Sequence, residues 1–238
     1  MAESKSTPVV AVLGVGPGLG AALAHRFAQD YTVAINARRA DYLQSLAGEI
    51  RAKGGQVFEA PADLGDRAQV EAMFTLIRKQ LGPPEILLYN AGSGRFGTIS
   101  EVSPEQFENM WRVNAYGAFL SAKAVAPDMI ARGHGSMLFT GATAGVKAGA
   151  RSVAFGPAKF ALRGLVQSLA RDLGPQGIHV AWVNVDGVID IPGRDMPQFM
   201  AEDMLKPEAI AETYWHLAHQ DRSAWTTELE VRPFKEKF

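Results

Sequence analysis

The stretch Gly14-Val15-Gly16-Pro17-Gly18-Leu19-Gly20 follows a short apolar run and precedes an amphipathic one. Glycines in such a place let the backbone turn tightly. They also let a diphosphate approach a helix N-terminus, where free N–H groups and the helix dipole favour negative charge. Phosphate contact is expected at Gly14, Gly16, Gly18, Leu19 and Gly20. The strand before and the helix after give the motif its weight; a glycine triplet alone reads as an ordinary turn. At the end of the second apolar run stands Ala37-Arg38-Arg39. An acidic residue there would accept hydrogen bonds from an adenosine ribose, whereas two arginines suit a 2′-phosphate. NADP(H) is therefore favoured over NAD(H), against the plainer reading of a solvated arginine pair at a helix start. Asp63 follows the third apolar run, placed either to touch an adenine or to cap the next helix.

These residues need a frame, and the chain supplies one by rhythm. Short apolar runs over 9–13, 32–35, 56–60, 86–89, 137–140, 180–183 and 228–231 read as strands. Between them, helical patterns run over 19–29, 40–52, 68–81, 103 to about 131, 160–173 and 207–220. Ser103-Pro104-Glu105-Gln106 carries a cap serine, a first-turn proline and acidic support, a helix start. Strands that are apolar throughout and alternate with helices imply a parallel sheet covered on both faces. Right-handed crossovers then give an α/β, Rossmann-type doubly wound sheet. No linker interrupts the alternation, so residues 1–238 are expected to form a single domain. The segment from Asp186 to Lys206 breaks the rhythm with Gly187, Pro192, Gly193 and Pro197, as lids and binding loops do.

With these motifs in place, the chain resembles the short-chain dehydrogenases/reductases from Val9 to about Ile191. Gly14, Gly18 and Gly20 match that family's glycine motif and Asp63 its adenine-contacting aspartate. Asn90-Ala91-Gly92 matches its Asn-Ala-Gly motif, Asn114 its helix asparagine and Lys159 its active-site lysine. The resemblance implies about seven strands, a homodimer or homotetramer, and cofactor contacts that also include Leu64, Gly187 and Ile189. It implies hydride chemistry in which a tyrosine moves the proton and a serine steadies the substrate oxygen. The lysine would hold the nicotinamide ribose and the asparagine a water, so the catalytic candidates are Asn114 and Lys159.

Here the sequence departs from the pattern. The tyrosine position, four residues before Lys159, is Phe155. The serine position, found from the fifth strand and again by counting back from Phe155, is Ala142. Neither side chain has a polar group. Asp186 replaces a proline common after the sixth strand, and could act as a substitute acid/base or simply form an Asx turn. Pro157 could kink the helix or delay its start. Thr143, Ser152 and Ser93 are the other hydroxyls in reach by sequence, and Tyr116 should face elsewhere.

The remaining features bound the answer. Lys and Arg total 24 against 25 Asp and Glu, so no bulk positive field exists for nucleic acid or an anionic membrane. There is no cysteine, which removes disulfides and thiolate chemistry and suits a cytoplasmic location. No run is long enough for a membrane span. His216 and His219 share a helix face without a third ligand, so no metal site is expected. Trp215, Trp225, Phe234 and Phe238 make the C-terminal region aromatic, as core packing or as a subunit interface. Two functions fit: an NADP(H)-dependent oxidoreductase with a rebuilt site acting on an activated C=C or C=N bond, or a dinucleotide-binding sensor or scaffold.

Overall fold

The computed structural model describes residues 7–92 and 94–236. The apolar runs become strands whose two faces are both covered: β1 (Val9–Leu13), β2 (Thr32–Asn36), β4 (Ile86–Tyr89) and β6 (Ile178–Val185) are buried along their whole length. With β3 (Gln56–Glu59), β5 (Gly135–Thr140) and β9 (Glu228–Val231) they form one parallel seven-stranded sheet in the order β3-β2-β1-β4-β5-β6-β9.

The period-2 alternation of each strand feeds two cores. Val9, Ala11 and Leu13 point to one face, where α3 (Arg67–Leu81), α5 (Gly117–Arg132) and α6 (Phe155–Leu173) bring Phe74, Val125 and Val166. Val10 and Val12 point to the other, where α1 (Leu19–Phe27), α2 (Ala40–Ala52) and α7 (Pro207–Ala218) bring Phe27, Leu43 and Tyr214. The chain winds outward from β1 to β3, then returns to β4 on the other side of β1. That reversal opens a crevice beyond the carboxyl ends of β1 and β4, where ligands of doubly wound sheets bind.

Three local features differ from the sequence reading. The helix expected over 103–131 is continuous but not uniform: α4 (Pro104–Trp111) passes through a π turn over Arg112–Tyr116 into α5. The reason is side-chain competition: Asn114 Nδ2 donates to the Met110 carbonyl at 2.9 Å, and the Gly117 N–H reaches back five residues to Arg112. The helix expected from 160 begins at Phe155. Pro157 thus falls in the first turn, where its missing N–H had no intrahelical acceptor to lose, and the helix runs on without a break. The 186–206 segment is largely irregular, but pairs β7 (Val188–Ile189) with β8 (Met204–Leu205).

The C-terminal tryptophans are half-buried, and each has a partner within the chain. Trp215 lies against Phe27 at 5.2 Å between centroids and under the Arg26 guanidinium at 3.8 Å, and Trp225 stacks on His179 at 5.0 Å. Phe234 is exposed, and Phe238 lies outside the described residues. A stack of rings lies elsewhere, along α4, the π turn and α5, where exposed Trp111 and Phe119 flank the half-buried Tyr116. His219 is bonded to the Tyr31 hydroxyl and the Trp215 carbonyl, and among the described residues no group of three metal-ligating side chains occurs. Among them, too, no helix is long and apolar enough to cross a membrane.

Candidate active site

A cleft of about 530 Å³ fills the crevice at the strand-order reversal. The glycine loop forms its floor, and Gly14 and Gly20 are each demanded by a different neighbour. Gly14 has φ +78°, and a Cβ there would stand 2.3 Å from Ala91 Cα, so the ends of β1 and β4 could not approach. A Cβ on Gly20 would stand 2.6 Å from Val15 Cα, separating α1 from the loop. A Cβ on Gly16 would meet no protein atom within 4 Å, because that side of the loop faces open cleft. The N-terminus of α1 has no side-chain cap and no acidic residue in its first turn. This is a bare positive helix end over a glycine cradle, the arrangement a diphosphate fits.

Arg38 and Arg39 stand exposed at the far end of the same cleft, and neither makes an ion pair among the described residues. Two unpaired guanidiniums beside a helix N-terminus suit a phosphate monoester. Tyr42 joins them, with the Arg39 guanidinium 5.9 Å from its ring centre. Asp63 and Leu64 line the wall between. The helix-cap alternative for Asp63 does not hold: Asp66 caps α3 by accepting from the Gln69 N–H at 3.0 Å. Asp63 instead bends the preceding turn, accepting from the Gly65 N–H at 2.8 Å. The sequence reading missed Asn36, whose side chain ties the ends of β2 and β3 by donating to the carbonyls of Ala60 and Ala62. A buried asparagine ending an apolar strand was the available signal.

The opposite end is a hydrogen-bonded chain. Asn90 Nδ2 donates to the Gly14 carbonyl at 3.0 Å, and Thr140 Oγ1 donates to Asn90 Oδ1 at 3.1 Å. Lys159 Nζ donates to the Thr140 carbonyl at 2.9 Å. A Cβ on Gly92 would stand 3.4 Å from Asn114 Oδ1 and 3.6 Å from Lys159 Nζ, so the Asn-Ala-Gly turn, the π turn and α6 converge here. Phe155 is one turn before Lys159 on α6, its ring centre 5.7 Å from Nζ. The turn beginning at Ala142 packs on the same helix: a Cβ on Gly145 would stand 3.4 Å from Lys159 Cβ.

Lys159 is buried, and loss of water pushes its ammonium down to about 8. The sign of the consequence follows from linkage. Between about pH 8 and 10.5 the unfolded chain holds a proton that the folded chain has released, so stability rises with pH. From pH 7.5 to 9.5 this one group should add about 2 kcal/mol. Urea midpoints measured across that range should rise for the native chain and lose that component in Lys159→Met.

Asp186 is also buried, but it is occupied. Its carboxylate accepts a short hydrogen bond from the Thr143 hydroxyl and makes a 2.9 Å charge contact with Arg232 Nη2. Two of the candidate groups thus face each other. Ile189 and Ile191 fold over the glycine loop: a Cβ on Gly18 would stand 3.7 Å from Ile189 Cγ2 and 3.2 Å from Ile191 Cγ1. Gly187, at φ +143°, lies against Pro233 rather than in the cleft wall. Tyr116 is turned away, stacked on Trp111. Ser93 lies outside the described residues.

A parallel sheet with a glycine-floored crevice at its switch point defines a dinucleotide-binding α/β protein. The short chain dehydrogenase family model matches residues 8–192, and the chain belongs to that family. Glycine betaine reductase of Emericella nidulans is 28% identical over 96% of this chain, although the chain spans only 19% of that protein. Among solved structures, a short-chain dehydrogenase from Rhodopseudomonas palustris is 35% identical with a TM-score of 0.84, covering 96% of this chain and 99% of its own. A metagenomic short-chain oxidoreductase, solved in complex with NADP, is 28% identical with a TM-score of 0.84 and covers 97% and 99%.

Proposed function

We propose that this chain is an NADP(H)-binding oxidoreductase with an altered active site, reducing an activated C=C or C=N bond. The observation that carries the reading is the Phe155 ring, its centre 5.7 Å from Lys159 Nζ, in a chain whose glycine loop, Arg38 and Arg39 line one cleft; Ala142 is read as the second apolar replacement from its place in the sequence. When bound, NADPH supplies the reducing equivalent. The glycine loop and the α1 N-terminus receive the diphosphate, Arg38 and Arg39 the 2′-phosphate, and Asp63 and Leu64 the adenine side. Lys159 and Asn114 hold the ribose and an ordered water, which takes the place of a side-chain proton donor. A carbonyl needs its oxygen protonated and steadied in the transition state. An activated C=C or C=N bond makes a smaller demand, which suits a phenyl ring and a methyl group.

In this reading Asp186 is a structural anchor: its carboxylate holds Thr143 at one side and Arg232 at the other. The same reading takes the protein as a cytoplasmic homodimer or homotetramer, the ring stack of α4–α5 offering an apolar face. The test is cofactor titration followed by turnover. NADPH should bind more tightly than NADH, and Arg38→Ala should weaken NADPH about 10–100-fold while leaving NADH nearly unchanged. NADPH should then be consumed with enones or imines faster than with simple ketones. Tight binding without turnover on any of them would favour a sensor.

A further inference from the structure

The segment joining β4 to α4 exposes two large apolar side chains beside the site, Phe96 at 62% and Ile99 at 82%. Single exposed apolar residues are ordinary. Phe96 differs because the backbone next to it is held from several sides. The Gly97 N–H donates to the Arg151 carbonyl at 2.7 Å, and Gly97 forms a parallel bridge with Ser152. The Thr98 N–H and hydroxyl both donate to the Glu101 carboxylate, at 2.8 and 3.1 Å, and Arg151 pairs with the same carboxylate at 3.1 Å. The loop is tight enough that a Cβ on Gly97 would stand 2.9 Å from Val102.

The result of this lacing is an aromatic pair. Phe96 stands edge-on to Phe155, with centroids 5.7 Å apart and planes at 67°. Phe155 rests in turn on a small apolar cluster of Met110, Ala154 and Ala158. So the residue that replaces the proton donor is backed by packing, and a second ring is fixed beside it in solvent.

We propose that Phe96 and Phe155, in edge-on contact with each other, form an aromatic wall beside Lys159 that selects an aromatic substrate. Calling the ligand a substrate rests on the reductase reading above; the wall itself does not. An aliphatic ligand would gain only buried area here, whereas an aromatic one adds ring-to-ring contact in offset or edge-on geometry. A cationic ligand is disfavoured, because the Lys159 ammonium already stands 5.7 Å from the Phe155 ring and would repel it. Continuity with the convergence of Gly92, Asn114 and Lys159 makes the occupant a small molecule held for chemistry at that point.

The test compares two enones that differ only in a phenyl against a methyl group, trans-4-phenyl-3-buten-2-one and trans-3-penten-2-one. Binding is measured by saturation-transfer NMR on the NADP⁺-loaded protein, where reduction cannot proceed. The phenyl enone should bind about tenfold tighter. Phe96→Leu keeps apolar bulk but removes the ring, and should cut that preference by roughly two- to tenfold; Phe96→Tyr should retain it. NADPH affinity and Tm should be unchanged in both variants. A preference that survives Phe96→Leu, or an equal loss for both enones, overturns the wall. NADPH consumption is scored separately, with both enones and the imines: no turnover with any of them, alongside a ring-dependent preference, sinks the reductase reading and leaves the wall standing.

Discussion

Phe155→Tyr combined with Ala142→Ser should raise ketone reduction by NADPH at least about 100-fold. The size follows from what is being restored. A positioned general acid contributes about 10²–10⁴-fold, and one donor to a developing oxyanion about 10²–10³-fold. The two act on one oxygen, so the gains will not simply multiply. The geometry for the gain is in place. Position 155 opens α6, one turn before Lys159, and the Lys159 amine stands 5.7 Å from the ring centre. Pro157 does not displace that turn, because it occupies the part of a helix where proline is tolerated. Burial already holds the Lys159 ammonium near 8, so it can support a neighbouring phenol around neutral pH. The measurement is kcat/KM with NADPH and a small ketone panel for the native chain, both single variants and the double. Each single variant should fall short of the double. A double variant no better than the native chain would mean that the substrate oxygen does not lie where these two positions face.

The second large effect is expected at Gly14. Gly14→Ala should cost about 2–5 kcal/mol, from a left-handed backbone that disfavours a side chain and from overpacking. The obstructing atoms are backbone, with Ala91 Cα at 2.3 Å and Ala91 N at 2.5 Å from the added Cβ, so no rotamer change relieves them. That is a large part of the roughly 5–15 kcal/mol by which a domain is stable, and Tm should fall by roughly 4–20 °C. Gly16→Ala is the contrast. Its Cβ would meet no protein atom within 4 Å, so Tm should hold while NADPH binding falls, because the methyl enters the phosphate cradle. Thermal melts with and without NADPH separate the two. Equal Tm for both variants would show that β1 and β4 do not approach as closely as the structure has them.

The sequence by itself determined the architecture and put the glycine loop and Arg38-Arg39 at strand ends. Unbroken apolar runs such as Val9–Leu13 can only be strands buried on both faces, and alternation with amphipathic stretches leaves a doubly wound sheet as the economical solution. The glycine loop and Arg38-Arg39 were legible for the same reason: residue type next to a strand end is local information, and the two line one cleft. Phe155 and Ala142 are expected departures, counted in the sequence from Lys159 and from the end of the fifth strand.

What only the tertiary structure decided involves partners far apart in the chain. The carboxylate of Asp186 is committed to Thr143 and Arg232, 43 residues before it and on the segment after β9, which no local pattern announces. Asn114 distorts its own helix through a side-chain bond to Met110, and a 3.6-residue period does not register a single slipped turn. Trp215 pairs with Phe27, Trp225 with His179, and Phe96 edge-on with Phe155, because hydrophobicity says that a ring seeks a partner but not which one. Pattern fixes periodicity and local turns; pairing across the fold is set by which surfaces the sheet order brings together, and that is a property of the whole packed chain.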